Sequence, residues 1–194
     1  MTATVEETYP IQFCGPAGLA LGPKQDLFVG CNKVFDTQTP TPQVWDPNGA
    51  FPAAPRDLII DAKSGQIDAT ILGVGAGDEV WFNPGDGNYY ATGSGSPQRP
   101  LPAATAKGST PAGVIDAKDQ RLVQLFPTYN VPAGPGHPAG TSHSIAANSH
   151  NNLIFVPLPA NNAVTATSPD GKTTIDCTTG CIPIFGHPDE DVDH

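Results

Sequence analysis

Charge is scarce in this chain. Only 14% of its residues are Asp, Glu, Lys or Arg, against about a quarter in an ordinary soluble domain. Amphipathic surface helices need a charged outer face, so the shortage argues against a helical bundle. Basic residues are the scarcest: nine Lys and Arg against nineteen Asp and Glu give a net charge of −10. With no basic stripe to compensate, a phosphate backbone or an anionic membrane surface would repel the protein. No apolar run reaches the roughly twenty residues of a membrane-spanning helix. Neither nucleic acid nor membrane insertion is therefore expected. The first ten residues lack the basic-then-apolar layout of a signal peptide. A G-x-S-x-G element is missing, as is a Cys–His pair at catalytic spacing. The glycine-rich run Gly73–Gly77 mimics a phosphate loop, but no helical pattern follows it.

What the chain has is 21 Gly and 22 Pro among 194 residues, roughly twice ordinary usage. Its apolar residues come in short runs of β-branched and aromatic types, which is how half-buried strands read. The expectation is an all-β protein with long Pro- and Gly-rich loops.

Two interleaved repeats organise it. Gly18–Gly30, Glu79–Ala91 and Ser144–Val156 each hold a few apolar residues, a turn rich in Gly, Pro, Asn or Asp, and a second run of β-formers. Each reads as a β-hairpin. Leu58–Ile67 and Gly113–Val123 share the string Ile-Asp-Ala-Lys, starting at Ile60 and Ile115, and these are hairpins too. Four antiparallel strands about every 55 to 65 residues is the arithmetic of β-propeller blades. The chain then divides into an N-terminal strand or tail (1–13), blades over 14–186 (14–72, 73–127 and 128–186) and an acidic tail (187–194). The third blade has its inner hairpin and a third strand at Ile182–Phe185, without a clear fourth. Three blades cannot close a ring. Either Thr4–Ile11 supplies a strand and two chains pair as half-rings, or the chain is part of a longer propeller. Open blade edges favour a homo-oligomer.

The stretch from Pro16 to Pro23 with Leu27–Val29 resembles the inner hairpin of NHL-type propeller repeats. The Ile-Asp-Ala-Lys-Ser-Gly hairpin is similar to the outer pair in YVTN-type and gluconolactonase/regucalcin-like propellers. In gluconolactonase-like propellers a divalent ion held by Glu, Asn and Asp polarises a lactone carbonyl and activates water. The resemblance implies a metal-assisted lactonase or esterase-like hydrolase with a divalent cation, calcium or zinc.

Blade geometry puts the long segments Asn32–Arg56, Thr92–Pro111 and Pro157–Gly180 at one face, with the links between blades. Loops on a rigid scaffold are the usual place for binding. Aligning the inner hairpins makes Ala17, Asp78 and His143 equivalent, and Gly18, Glu79 and Ser144 the next set. Asp78, Glu79 and His143 are then candidate ligands for a divalent ion, with Glu79 and His143 as acid–base candidates. Asn83 joins them as a candidate ligand-binding residue. Asp78 and His143 read equally as turn residues bonded to nearby backbone. Trp81, Tyr89 and Tyr90 read as packing between blades, while Trp45 and Phe51, in a long loop, are candidates for contact with a small molecule or glycan. A non-catalytic propeller that binds a protein or glycan through these loops is the alternative.

Cys14 and Cys31 lie across one hairpin, close enough to bridge. Cys177 and Cys181 enclose three residues, a spacing that allows a small disulfide loop. Buried thiols and a zinc site are the rivals. Disulfides would place the protein outside the cytoplasm, secreted or periplasmic, with its leader absent from this sequence; a cytosolic protein is the other reading.

Overall fold

Alternation of apolar residues along short strands gives each strand two usable faces, and the folded chain uses both. The structure is a computed structural model that describes residues 3–11, 14–34, 56–74, 79–92, 111–127, 142–158, 165–167, 174–176 and 179–186. Strands β1 (Cys14–Leu21), β2 (Asp26–Val34), β3 (Arg56–Asp61) and β4 (Ile67–Leu72) form a first antiparallel sheet in chain order. A second sheet repeats the pattern with β5 (Val80–Asn83), β6 (Asn88–Thr92), β7 (Pro111–Asp116) and β8 (Arg121–Pro127). Next come β9 (Ala146–Ala147), β10 (Ile154–Phe155), β11 (Thr165–Thr167), β12 (Thr174–Asp176) and β13 (Ile184–Phe185). Of these, β9, β10 and β13 make a third sheet of three strands. The protein is all-β, built of blade-like antiparallel sheets, and the described residues contain no α-helix.

One expectation needs correction. The segment 157–180 was expected to be a loop, but it contains the separate two-stranded ribbon β11–β12, whose threonine-rich strands fit a pleated surface. Residues 3–11 form no strand. They are held instead by side chains: Tyr9 donates its hydroxyl to the Lys63 and Ala62 carbonyls at 2.8 and 3.2 Å, and Ile11 packs against the first sheet. The 187–194 tail lies outside the described residues.

The shared Ile-Asp-Ala-Lys string has a physical account. The isoleucines Ile60 and Ile115 are buried on the sheet face. The following aspartate closes the turn: Asp61 Oδ1 accepts the Lys63 and Ser64 backbone N–H groups at 3.0 and 2.6 Å and the Ser64 hydroxyl at 2.8 Å. Asp116 Oδ1 does the same for Lys118 and Asp119, both at 2.8 Å. Such Asx turns satisfy donors that the hairpin leaves free. Both outer hairpins also carry a register shift at the same place, between Ile59 and Ile60 and between Val114 and Ile115.

The sheets stack face to face in chain order. One core lies between the first and second sheets, where Phe28, Ile59 and Ile71 meet Val80, Tyr89 and Ile115. A second lies between the second and third, where Tyr90, Val114 and Phe126 meet Ile145, Ile154 and Val156. Tyr89 anchors the first core, stacked on Phe28 at 4.9 Å and tilted against Phe82 at 5.1 Å. Burial, then the nearby Asp26 charge, pushes the Tyr89 phenol well above its ordinary value, so it stays neutral. Its hydroxyl lies against Gly22, where a Cβ would clash with it.

Cys14 and Cys31 form the expected disulfide, with Cα atoms 5.2 Å apart and a sequence separation of 17. Cys181 is disulfide-bonded as well, and Cys177 lies outside the described residues. Closing a loop of this length restricts the unfolded chain by about 3 kcal/mol. Replacing Cys14 and Cys31 together by Ser should lower unfolding stability by about 2–4 kcal/mol in urea titration; an unchanged midpoint would refute that role.

The turn aspartates predict an acid response. Hydrogen bonds from Ser64 and Lys63 hold the Asp61 carboxyl below its ordinary 3.8, and bonds from Asp119 and Lys118 do the same for Asp116. A lowered folded pKa makes the contribution fully present above the ordinary value and lost as pH falls through the lowered one. The double variant Asp61→Asn, Asp116→Asn should therefore lose less stability below pH 3.8 than the parent, read as a flatter plot of denaturation midpoint against pH. Parallel plots would refute it.

Candidate functional site

A four-stranded meander returns to its starting end after every second strand. Strand β1 begins where β2 ends, β3 begins and β4 ends, and β5 begins there as well. The connections 35–55, 73–79 and 93–110 all leave from that end, whereas the opposite end carries the short turns at 22–25, 62–66, 84–87 and 117–120.

At the connection end the inner strands draw together. The Glu79 backbone N–H donates to the His143 carbonyl at 3.2 Å, tying the start of the second sheet to the start of the third. On the other side, a Cβ on Gly18 would sit 3.0 Å from the Val80 nitrogen and 3.1 Å from the Glu79 carbonyl carbon. Glycine at 18 suits this close approach of β1 to β5, because two of the three nearest atoms are backbone and the third is Cγ1 of Val80. Gly18, Glu79 and His143 thus follow one another across three sheets. Glu79 and His143 are exposed, and place one carboxylate and one imidazole on the segments leading into β5 and β9. Ser142, just before the histidine, is buried.

The expected site residues fare differently. Glu79 and His143 are brought together. Asp78, Trp45 and Phe51 lie outside the described residues. No group of three His, Cys, Asp or Glu suited to a metal occurs among the described residues. Asn83 is a different case. It closes β5, about 13 Å of strand away from Glu79 at 3.3 Å per residue, and is fully buried. Its amide donates to Asn152 Oδ1 at 3.0 Å and accepts the Gly85 N–H at 3.1 Å. Its amide therefore braces the turn end of the second sheet against that of the third and does not face the Glu79–His143 end. A parallel brace joins the first two sheets, where Gln120 donates to Asp26 Oδ2 at 3.2 Å. Tyr89 and Tyr90 are buried between sheets as expected, with Tyr90 donating to Asp86. Trp81 is a correction: it is 43% exposed. Its equivalents in the neighbouring sheets are Ala20 and Ala146, so the indole is larger than anything the repeat accommodates at this position.

One feature escaped the sequence reading. An apolar groove of about 280 Å³ runs between the N-terminal segment and the first sheet, lined by Tyr9, Ile11, Leu19, Leu27, Val29 and Ile60 among others. Of the lining residues, Leu19 on the inner strand is exposed.

No protein-family model matches the chain, and no curated protein matches it in sequence. Among solved structures, the chain is similar to the hydrazine synthase of Kuenenia stuttgartiensis, with a TM-score of 0.41 and 14% identity, covering 88% of this chain and 51% of that one. The chain thus spans about half the length of that relative. The likeness to NHL-type and gluconolactonase-like propellers rests on the hairpin motifs alone.

The close approach at Gly18 can be tested without a ligand. In Gly18→Ala the neighbouring atoms of Glu79 and Val80 must give by a few tenths of an ångström, and a stability loss of about 1–3 kcal/mol is expected, measured by urea denaturation. Wild-type stability in that variant would mean that the strands tolerate a side chain there.

Proposed function

We propose that this is an extracytoplasmic blade-type protein that binds a small polar ligand at the connection end of its inner strands, with Glu79 and His143 as the binding pair. The observation that carries the reading is the Glu79 N–H to His143 C=O bond. It ties together the backbones of two residues with exposed side chains, a carboxylate and an imidazole. An oxidising compartment is supported by the Cys14–Cys31 disulfide. No helix among the described residues is long and apolar enough to cross a membrane.

In its finer form the ligand is a divalent cation, or a small molecule bound through one. Asp78 adjoins Glu79 in sequence, and two carboxylates with an imidazole are a hard-to-borderline donor set that suits calcium or zinc. Such an ion polarises a carbonyl and lowers the pKa of bound water, which is the hydrolase form of the proposal. The chain's own contribution would be to position the ion: Glu79 and His143 are held by a backbone bond that does not depend on the ligand.

Calorimetric titration of the metal-free protein with Ca²⁺ and with Zn²⁺ tests this. Saturable binding of one of them should weaken at least tenfold in Glu79→Gln and in His143→Ala, with circular dichroism unchanged. No binding of either ion, or binding indifferent to both substitutions, would overturn the cation reading.

A further inference from the structure

The outer hairpins of the first two sheets match position by position, and they differ in what lies against them. Ile60 and Ile115 hold the same place in the shared Ile-Asp-Ala-Lys string, and both are buried. Ile115 is covered by the preceding sheet, in a cluster with Phe28 and Ile59. Among the described residues, no sheet precedes the first. Ile60 lies instead in a cluster with Val29 and Leu58, against which Ile11 packs, and Tyr9 and Ile11 line one groove with Leu27, Val29 and Ile60. The turns show the same exchange. Gly65 and Gln120 both follow the string by two residues, and both have a left-handed backbone, with φ of +72° and +51°. In the second sheet, Gln120 donates to Asp26 Oδ2 of the preceding sheet at 3.2 Å. In the first, the Tyr9 ring lies so close to Gly65 that a Cβ there would overlap it, and the Tyr9 hydroxyl donates to the Lys63 and Ala62 carbonyls at 2.8 and 3.2 Å. At both places the N-terminal segment takes the part that the preceding sheet plays elsewhere.

We propose that residues 9–11 are a strap that caps the first sheet in place of a preceding sheet, latched by Tyr9 on the β3–β4 turn and able to open. A preceding sheet supplies apolar cover and a polar brace. The strap supplies the first through Ile11 and the second through the Tyr9 hydroxyl. It does so without a ladder, since residues 3–11 form no strand and residues 3–8 are exposed. Tyr9 and Ile11 are the half-buried members of the segment, at the spacing that turns two side chains of an extended chain to one side. A cover held by a few side-chain contacts opens at lower cost than a paired strand, so the strap moves before the sheet beneath it does. The latch also accounts for Gly65. Its φ alone does not demand glycine, because Gln120 holds the equivalent conformation with a side chain; the room taken by the Tyr9 ring does. Release of the latch uncovers Leu27, Val29 and Ile60, widening the apolar groove beside β1. The strap involves no ligand and lies apart from Glu79 and His143, so it stands or falls independently of the cation reading.

Fluorescence of Nile red, an uncharged dye that brightens on apolar surface, tests the proposal on the full chain. Tyr9→Ala and Gly65→Gln should each raise it about threefold or more over wild type, with the far-UV circular dichroism retained. Tyr9→Phe, which keeps the ring and removes the two hydroxyl bonds, should give a smaller rise. Combining Tyr9→Ala with Gly65→Gln should add nothing to either alone, because both release one latch. Gly87→Gln is the control for backbone strain: Gly87 has φ +73° and nothing within 4 Å of a Cβ, so its dye signal should stay at the wild-type level. Wild-type fluorescence in Tyr9→Ala or in Gly65→Gln would overturn the proposal, as would an equal rise in Gly87→Gln. Loss of the far-UV signal in Tyr9→Ala would overturn it too, since a cover that opens leaves the sheets folded.

Discussion

The three blade-like sheets carry apolar residues on both faces, and the rest of the structure depends on the covering of one sheet's face by the next sheet in the chain. The Phe28, Ile59, Tyr89 and Ile115 core and the Tyr90, Val114, Ile145 and Ile154 core are the same contact made twice. Burial of apolar area at roughly 25 cal/mol per Å² is the main stabilising term in such a stack. Two side-chain hydrogen bonds between sheets sit at its turn end, where Gln120 reaches Asp26 and Asn83 reaches Asn152. Those contacts fix how each sheet is rotated on its neighbour, a role for which directional bonds suit better than apolar packing.

That division sets what each end of the stack can do. The turn end is closed, with short hairpins and amide braces that leave Asn83 no exposed surface. At the connection end, backbones approach at Gly18 and bond between Glu79 and His143, while the side chains of the last two project outward. A rigid backbone beneath exposed polar groups holds their spacing before any ligand arrives, which reduces the ordering cost of binding.

Local chemistry was the most legible part of the sequence. The Ile-Asp-Ala-Lys repeat located two outer hairpins because an aspartate that accepts the turn's own N–H groups acts within three residues. The Cys14–Cys31 pairing was legible for a similar reason, since both cysteines belong to one hairpin. The equivalence of the inner hairpins followed from repetition, and a backbone bond from Glu79 to His143 joins the segments that lead into two of them. The failures were long-range or concerned fit. Asn83 is polar and lies on an inner strand like the other candidates, but its partner Asn152 is 69 residues away, so nothing local separated a brace from a ligand. Trp81 was assigned to packing by residue type, and its exposure depended on neighbours of another size. The ribbon β11–β12 was hidden in a segment whose turn residues dominated its threonines.

The sequence by itself determined the inner hairpins of the three blade-like sheets and the outer hairpins of the first two, because these follow from alternation and turn chemistry over a few residues. Only the tertiary structure decided which positions are covered and by what. Leu19 and Val80 are equivalent in pattern, yet one is mostly exposed and the other is buried, since burial depends on whether another sheet lies alongside. The order of sheets along the chain, rather than any property of the residue, makes that difference.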